Sequence, residues 1–197
     1  ELLYGELSYR QPVGAEGTVV SGTISGSRTD AGADLAALDS EGHSVRVTLR
    51  ASHPILLARS RRLTVTGTFD YLDIGEDRLG RTNLQDSLRV FRAGLDYLQD
   101  DSWSGTTQLA VEVSQGADFL GASDRGRPTL SRADGDGTFT KATAQVARTQ
   151  AIGQNIGVVV AAKGQISADS LLSSEEFAIG GSQFGRAYDF SEVTGDD

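Results

Sequence analysis

The sequence predicts an all-β fold, an antiparallel meander forming the wall of a transmembrane β-barrel. Three observations carry this expectation. Apolar and polar residues alternate with a period of two along eight segments, as they do where successive strand side chains point to opposite faces. The connections between the segments alternate short and long, the layout of an outer-membrane barrel with tight turns at one end and extended loops at the other. The polar faces are dense in charge, while the apolar faces hold several Gly and Ala; lipid tolerates such a light face, but a packed core would be underfilled.

In order along the chain, Leu3, Gly5, Leu7 and Tyr9 alternate with Tyr4, Glu6, Ser8 and Arg10. Val20, Gly22 and Ile24 then alternate with Val19, Ser21, Thr23 and Ser25. The third segment is cleaner, with His43, Val45, Val47, Leu49 and Ala51 set against Ser44, Arg46, Thr48 and Arg50. In the fourth, Leu63, Val65, Gly67, Phe69 and Tyr71 oppose Thr64, Thr66, Thr68 and Asp70. The fifth slips in phase: Leu88 and Val90 fall on one parity, and Phe91, Ala93, Leu95 and Tyr97 on the other. One extra residue near Val90 gives that slip, so a bulge there or a later strand start is expected. Leu109, Val111 and Val113 define the sixth segment, Ala142, Ala144 and Val146 the seventh, and Val158, Val160, Ala162, Gly164 and Ile166 the eighth.

The connections at 12–17, 54–61, 100–105 and 151–155 are short; those at 28–42, 73–86, 117–137 and everything after 168 are longer. The long ones are rich in Asp and Gly, so the net charge of −9 is largely a loop property. That balance argues against a nucleic-acid partner, because phosphate binding needs a basic surface. The chain has 197 residues and no cysteine, which removes disulfides, thiolate metal sites and cysteine nucleophiles. No stretch approaches the roughly 20 apolar residues of a spanning helix. The chain opens inside a patterned segment without Met or leader and stops at Gly195-Asp196-Asp197, so an excerpt of a longer protein is expected.

Alternation alone does not separate a membrane barrel from a soluble β-sandwich, since both give half-apolar strands. The segment lengths favour the barrel: they suffice for a tilted strand to cross a bilayer, which takes about 9–11 residues, whereas ordinary strands centre on about 5–6. On that reading Arg46, Arg50, Asp70, Arg92, Asp96, Glu112, Lys141 and Lys163, all on polar parities, line a wet lumen. Tyr4, Tyr9, Phe69, Tyr71, Phe91, Tyr97 and Trp103 lie mostly near segment ends, as interfacial girdles do.

Enzyme signatures are missing: there is no G-x-S-x-G elbow, no Walker A and no H-E-x-x-H. His43 and His53 sit at opposite ends of one predicted strand, roughly 33 Å apart when extended, too far to share a metal. Asp134 and Asp136 lack the spacing of a calcium loop and read as turn residues. The Arg59–Arg62 cluster lies in a short turn.

The last thirty residues differ in kind. Ser173 and Glu176 have the spacing of a capping box for one helical turn. Gly180 and Gly181 then let the chain bend, and Arg186 follows among Phe184, Gly185 and Tyr188. Taken alone this is a flexible surface loop. At the long-loop end of a barrel a second reading applies, in which residues 169–197 fold back into the lumen and Arg186 docks on a wall carboxylate, after eight barrel strands within 1–168.

At these residues the sequence resembles the ShlB/FhaC/HecB family, outer-membrane transporters of two-partner (type V) secretion in the superfamily of POTRA-bearing barrels. The resemblance covers nearly the whole chain. It runs through Pro12-Val13-Gly14-Ala15-Glu16-Gly17, His53-Pro54-Ile55-Leu56 and the Leu88–Leu95 segment. It continues through Ser114-Gln115-Gly116, Arg148-Thr149-Gln150, Gly164-Gln165 and Leu172–Phe177. Its most specific part is Gly180-Gly181 through Gly185-Arg186-Ala187-Tyr188, similar to the family's V-R-G-Y loop; Gly185 stands where Val is usual and Ala187 where the second Gly is usual.

The resemblance implies a sixteen-stranded barrel, of which this chain is about half, preceded by periplasmic POTRA domains that recognise a secreted passenger. It implies an integral protein of the bacterial outer membrane, in contact with outer-membrane lipid, that exports a haemolysin- or adhesin-type exoprotein. No nucleotide or metal cofactor and no enzymatic step are expected. An insertase of the same superfamily, a passive porin and a soluble β-sandwich binding module are the alternatives.

Overall fold

The computed structural model describes residues 1–30, 40–153, 155–179 and 193–197. Eight strands follow the alternating segments: β1 (Leu2–Val13), β2 (Thr18–Asp30), β3 (Ser40–Ala58), β4 (Arg61–Arg78), β5 (Arg81–Asp100), β6 (Gly105–Gly116), β7 (Thr140–Ile152) and β8 (Ile156–Ser167). They form one sheet in sequence order, each antiparallel to the next. The fold is thus an all-β meander, and the sheet is open, with β1 and β8 at its edges. A small separate pair joins β9 (Phe177–Ile179) to β10 (Val193–Gly195). No helix among the described residues is long and apolar enough to cross a membrane.

The register puts the apolar parities of all eight strands on one face. Leu7 pairs with Ile24, Ile24 with Val47, and Val47 with Tyr71; farther on, Leu95 pairs with Val111 and Val111 with Ala144. Among the described residues no second sheet covers this face, and only Phe119 and Leu120 reach it, beside Phe69, Phe91 and Arg89. Elsewhere it is open, with Leu7 72%, Leu49 53% and Val160 66% exposed. A sandwich would bury this face under a second sheet. Here the main packed cluster lies on the opposite, polar face instead, which is not the arrangement of a sandwich.

Two expectations about the elements need correction. Residues 73–86 are not a long connection. β4 and β5 run on as a ladder to Arg78↔Arg81, closed by the two-residue turn Leu79-Gly80. Both turn residues have positive φ (50° and 69°), the requirement of the type I′ turn whose twist matches a hairpin. There is also no bulge near Val90 and no late start. The β4–β5 register is continuous from Arg61↔Gln99 to Glu76↔Leu84, and it shifts only between Glu76 and Asp77. The phase slip has another cause. Leu88 and Val90 lie on the polar face, where two loops cover them, and with Leu72, Phe139, Leu171 and Leu172 they form the buried apolar cluster. The apolar side of β5 switches faces because a packed core replaces water there.

The covering loops are 117–139 and 168–176. The first is tied to β5 by Ser123 N–H donating to the Ser87 carbonyl (2.8 Å) and Gln85 N–H to that of Thr129 (2.7 Å). The second meets the first through a parallel bridge between Asp136 and Leu171. The Ser173–Glu176 capping box does not form. Glu175 N–H closes a single turn onto the Leu172 carbonyl (2.8 Å), Ser173 N–H donates to Ser131 Oγ (3.0 Å), and Glu176 pairs with Arg132 at 3.2 Å.

Candidate functional site: the polar face and its ion network

Because side chains alternate, one pairing row decides which residues share a face. Arg50 pairs with Thr68, Thr68 with Arg92, Arg92 with Ser114 and Ser114 with Lys141. Thr48 pairs with Asp70, Gly94 with Glu112, and Gln145 with Lys163. Arg46, Arg50, Asp70, Arg92, Asp96, Glu112, Lys141 and Lys163 therefore all project from the face opposite the exposed apolar one. The structure then divides them. Asp70, Arg92, Glu112 and Lys141 join one ion network, whereas Arg46, Arg50 and Asp96 are exposed and make no salt bridge among the described residues. Lys163 has its ammonium 5.5 Å from the centroid of the Phe177 ring.

Arg92 is the hub. Its Nε donates to Asp70 Oδ2 at 2.9 Å, and Nη1 to Ser114 Oγ at 2.9 Å. Both terminal nitrogens fork onto the Glu175 carboxylate, at 3.2 Å and 2.5 Å, the bidentate geometry that suits guanidinium best. Glu112 stands farther off at 3.8 Å. Lys141 Nζ reaches the same Glu175 carboxylate at 2.8 Å and donates to the Glu175 carbonyl at 2.7 Å. Thr48 Oγ1 donates to the second Asp70 oxygen at 2.6 Å. Glu175, Lys141 and Ser114 are buried, and no buried side-chain polar atom among the described residues lacks a partner, which is what makes such a network stable rather than costly.

Glu175 belongs to the loop, not to a strand. Burial pushes its carboxyl upward, but the Arg92 guanidinium and the Lys141 ammonium outweigh that, and the group is held below the ordinary carboxylate range. The other limb of the same loop is fixed nearby. Gln165 Nε2 donates to the Asp196 carbonyl at 2.9 Å, Arg132 Nη1 to Asp196 Oδ1 at 2.5 Å, and Ser167 N–H to Asp197 Oδ1 at 2.6 Å. Both limbs thus stand on the polar face of β5–β8, joined by the β9–β10 pair. Gly180, Gly181, Gly185, Arg186 and Tyr188, the motif residues, lie outside the described residues.

A second buried cation escaped the sequence reading. Arg89 is on the apolar parity of β5, yet it is only 2% exposed. Its guanidinium donates to the carbonyls of Leu72, Leu88 and Leu120 and to Asp73 Oδ1, and it lies 3.5 Å from the Tyr71 ring centroid. Beside it Phe69, Phe91 and Phe119 cluster with centroids 5.0–5.9 Å apart. Tyr97 and the exposed Trp103 lie toward the short-turn end. Tyr4 departs from the girdle expectation: it lies on the polar parity and its hydroxyl donates to Glu6. Among the described residues no group of carboxylates and histidines has the arrangement of a metal site.

The family model described as "Haemolysin secretion/activation protein ShlB/FhaC/HecB" matches residues 5–197. Among solved structures, CdiB from Escherichia coli superposes with a TM-score of 0.77 at 20% identity, covering 91% of this chain and 34% of that one. CdiB from Acinetobacter baumannii gives a TM-score of 0.71 at 16% identity, covering 99% and 34% respectively. The chain therefore spans about a third of the length of these structures. No curated protein matches the sequence.

Proposed function

Because the chain belongs to the haemolysin secretion/activation family ShlB/FhaC/HecB, we propose that it contributes the wall of an outer-membrane pore that carries a partner exoprotein out of the cell by two-partner secretion. One observation supports the reading: most of the apolar face is bare, while the polar face seats the chain's own loop through a buried ion network. A soluble protein covers its apolar face; a barrel wall leaves that face to lipid and keeps charge toward water.

In this reading the passenger, of haemolysin or adhesin type, crosses as an extended chain along the polar face. POTRA domains elsewhere in the full-length protein receive it on the periplasmic side. Export has no bond-making step and draws on passenger folding outside the cell. Arg186 holds the loop tip in place, with Gly180, Gly181, Gly185 and Tyr188 shaping it, while Glu175 holds the loop base.

The test expresses the full-length gene and measures export of the large exoprotein encoded beside it. Extraction only by detergent and export by the wild type are the expected results. Arg186→Ala abolishes export while the barrel stays inserted. Solubility without detergent contradicts the membrane assignment, and normal export by Arg186→Ala removes the positioning role.

A further inference from the structure

One row of the sheet has an unusual composition. On the polar face, Arg10 of β1 pairs with Ser21 of β2, which pairs with Arg50 of β3. Arg50 pairs with Thr68 of β4, then Arg92 of β5, Ser114 of β6 and Lys141 of β7 follow, and Ser167 of β8 closes the row. Every odd-numbered strand supplies a cation and every even-numbered one a hydroxyl. Neighbouring strands lie about 4.8 Å apart, so the cations repeat at roughly 10 Å with a small donor between each pair. On a tilted barrel strand such a row climbs the wall.

The two halves of the row differ in occupancy. In the β5–β7 half, Arg92 and Lys141 share the Glu175 carboxylate, with Ser114 bonded to Arg92 between them. In the β1–β3 half, Arg10 and Arg50 are exposed and make no salt bridge among the described residues. Glu175 is thus an internal example of the ligand this row takes: a carboxylate presented by an irregular chain segment lying on the polar face.

We propose that Arg10 and Arg50, with Ser21 between them, form a binding site for carboxylate side chains of an extended polypeptide on the polar face. The site rests on the reading of that face as a protein conduit. Its occupant is an acidic stretch of the passenger, which meets this row as it passes. Rings of like charge select the opposite charge in pores. Arginines on a wet wall do so weakly enough to release what they catch, since exposed ion pairs are worth only about 0.2–1 kcal/mol each.

The test uses full-length protein in detergent at low salt and fluorescein-labelled octaglutamate, octaglutamine and octalysine, with binding read by fluorescence anisotropy. Octaglutamate is expected to bind more tightly than the other two. R10Q/R50Q weakens it about tenfold, the effect of two exposed pairs. R10K/R50K, which keeps the charge, retains most of the binding, and R59Q in the β3–β4 turn leaves it unchanged. Equal binding of octaglutamate and octaglutamine, or wild-type binding by R10Q/R50Q, overturns the site. Exoprotein export by the wild type, measured in parallel, separates the two readings. Export without arginine-dependent binding sinks the site alone, and arginine-dependent binding without export sinks the conduit alone.

Discussion

Glu175 shows how much one carboxylate can fix. It bridges Arg92 of β5 and Lys141 of β7, whose strands are separated by β6, and so fastens a loop to two strands at once. Removing one partner of a buried pair costs about 3–5 kcal/mol, and the lower end fits here because Arg92 keeps Asp70. Glu175→Gln should therefore raise amide hydrogen exchange in 171–176 by two orders of magnitude or more, with the strands unchanged. The pH dependence follows from the depressed carboxyl. A carboxyl that binds its proton less readily when folded stabilises the loop above its ordinary range, and that stability is lost as pH falls through the folded value. Loop protection in the wild type should thus survive from neutral pH into the ordinary carboxylate range and fail below it. Glu175→Gln should show no such step. On the apolar-parity side, Arg89→Leu takes a donor from Asp73 Oδ1 and from three carbonyls and should lower the thermal midpoint more than Arg50→Gln, which touches no described partner. The cations on the polar parities were legible in the sequence. Their carboxylate partner was not, because Glu175 follows Arg92 by 83 residues and only the folded loop brings it near.

At the scale of elements, strand existence was readable and strand extent was not. In the proposed barrel wall, the alternation of β3, β4, β6 and β8 answers to lipid on one side and water on the other. In Asp73–Arg78 the one large apolar residue is Ile74, so the segment carries no period and reads as loop although it is paired strand. The Leu88–Val90 slip was visible, but the pattern cannot distinguish an inserted residue from a face that becomes dry; the loop core of Phe139, Leu171 and Leu172 decides for the second. The hairpin tip gives a direct check. Gly80→Val forces a β-branched side chain into positive φ at a cost of about 1–2 kcal/mol, and should lower the thermal midpoint without altering the sheet. Gly116→Val is harsher. A Cβ at Gly116 runs into the Gly137 carbonyl oxygen and the Phe139 ring, so the 117–139 loop should lose its seat and become sensitive to protease.

For the molecule as a whole, the central claim is that the two faces of one sheet see two solvents, lipid on the bare apolar side and a wet protein path on the other. The adjacent residues Leu95 and Asp96 of β5 sample those two sides at the same depth. The most direct test places a photo-crosslinking amino acid at Leu95 or at Asp96 in the full-length protein while the proposed passenger is stalled during export. The account predicts crosslinks to passenger from position 96 and none from position 95, where only lipid is in reach. Passenger crosslinks from 95 but not from 96, or from both alike, would contradict it.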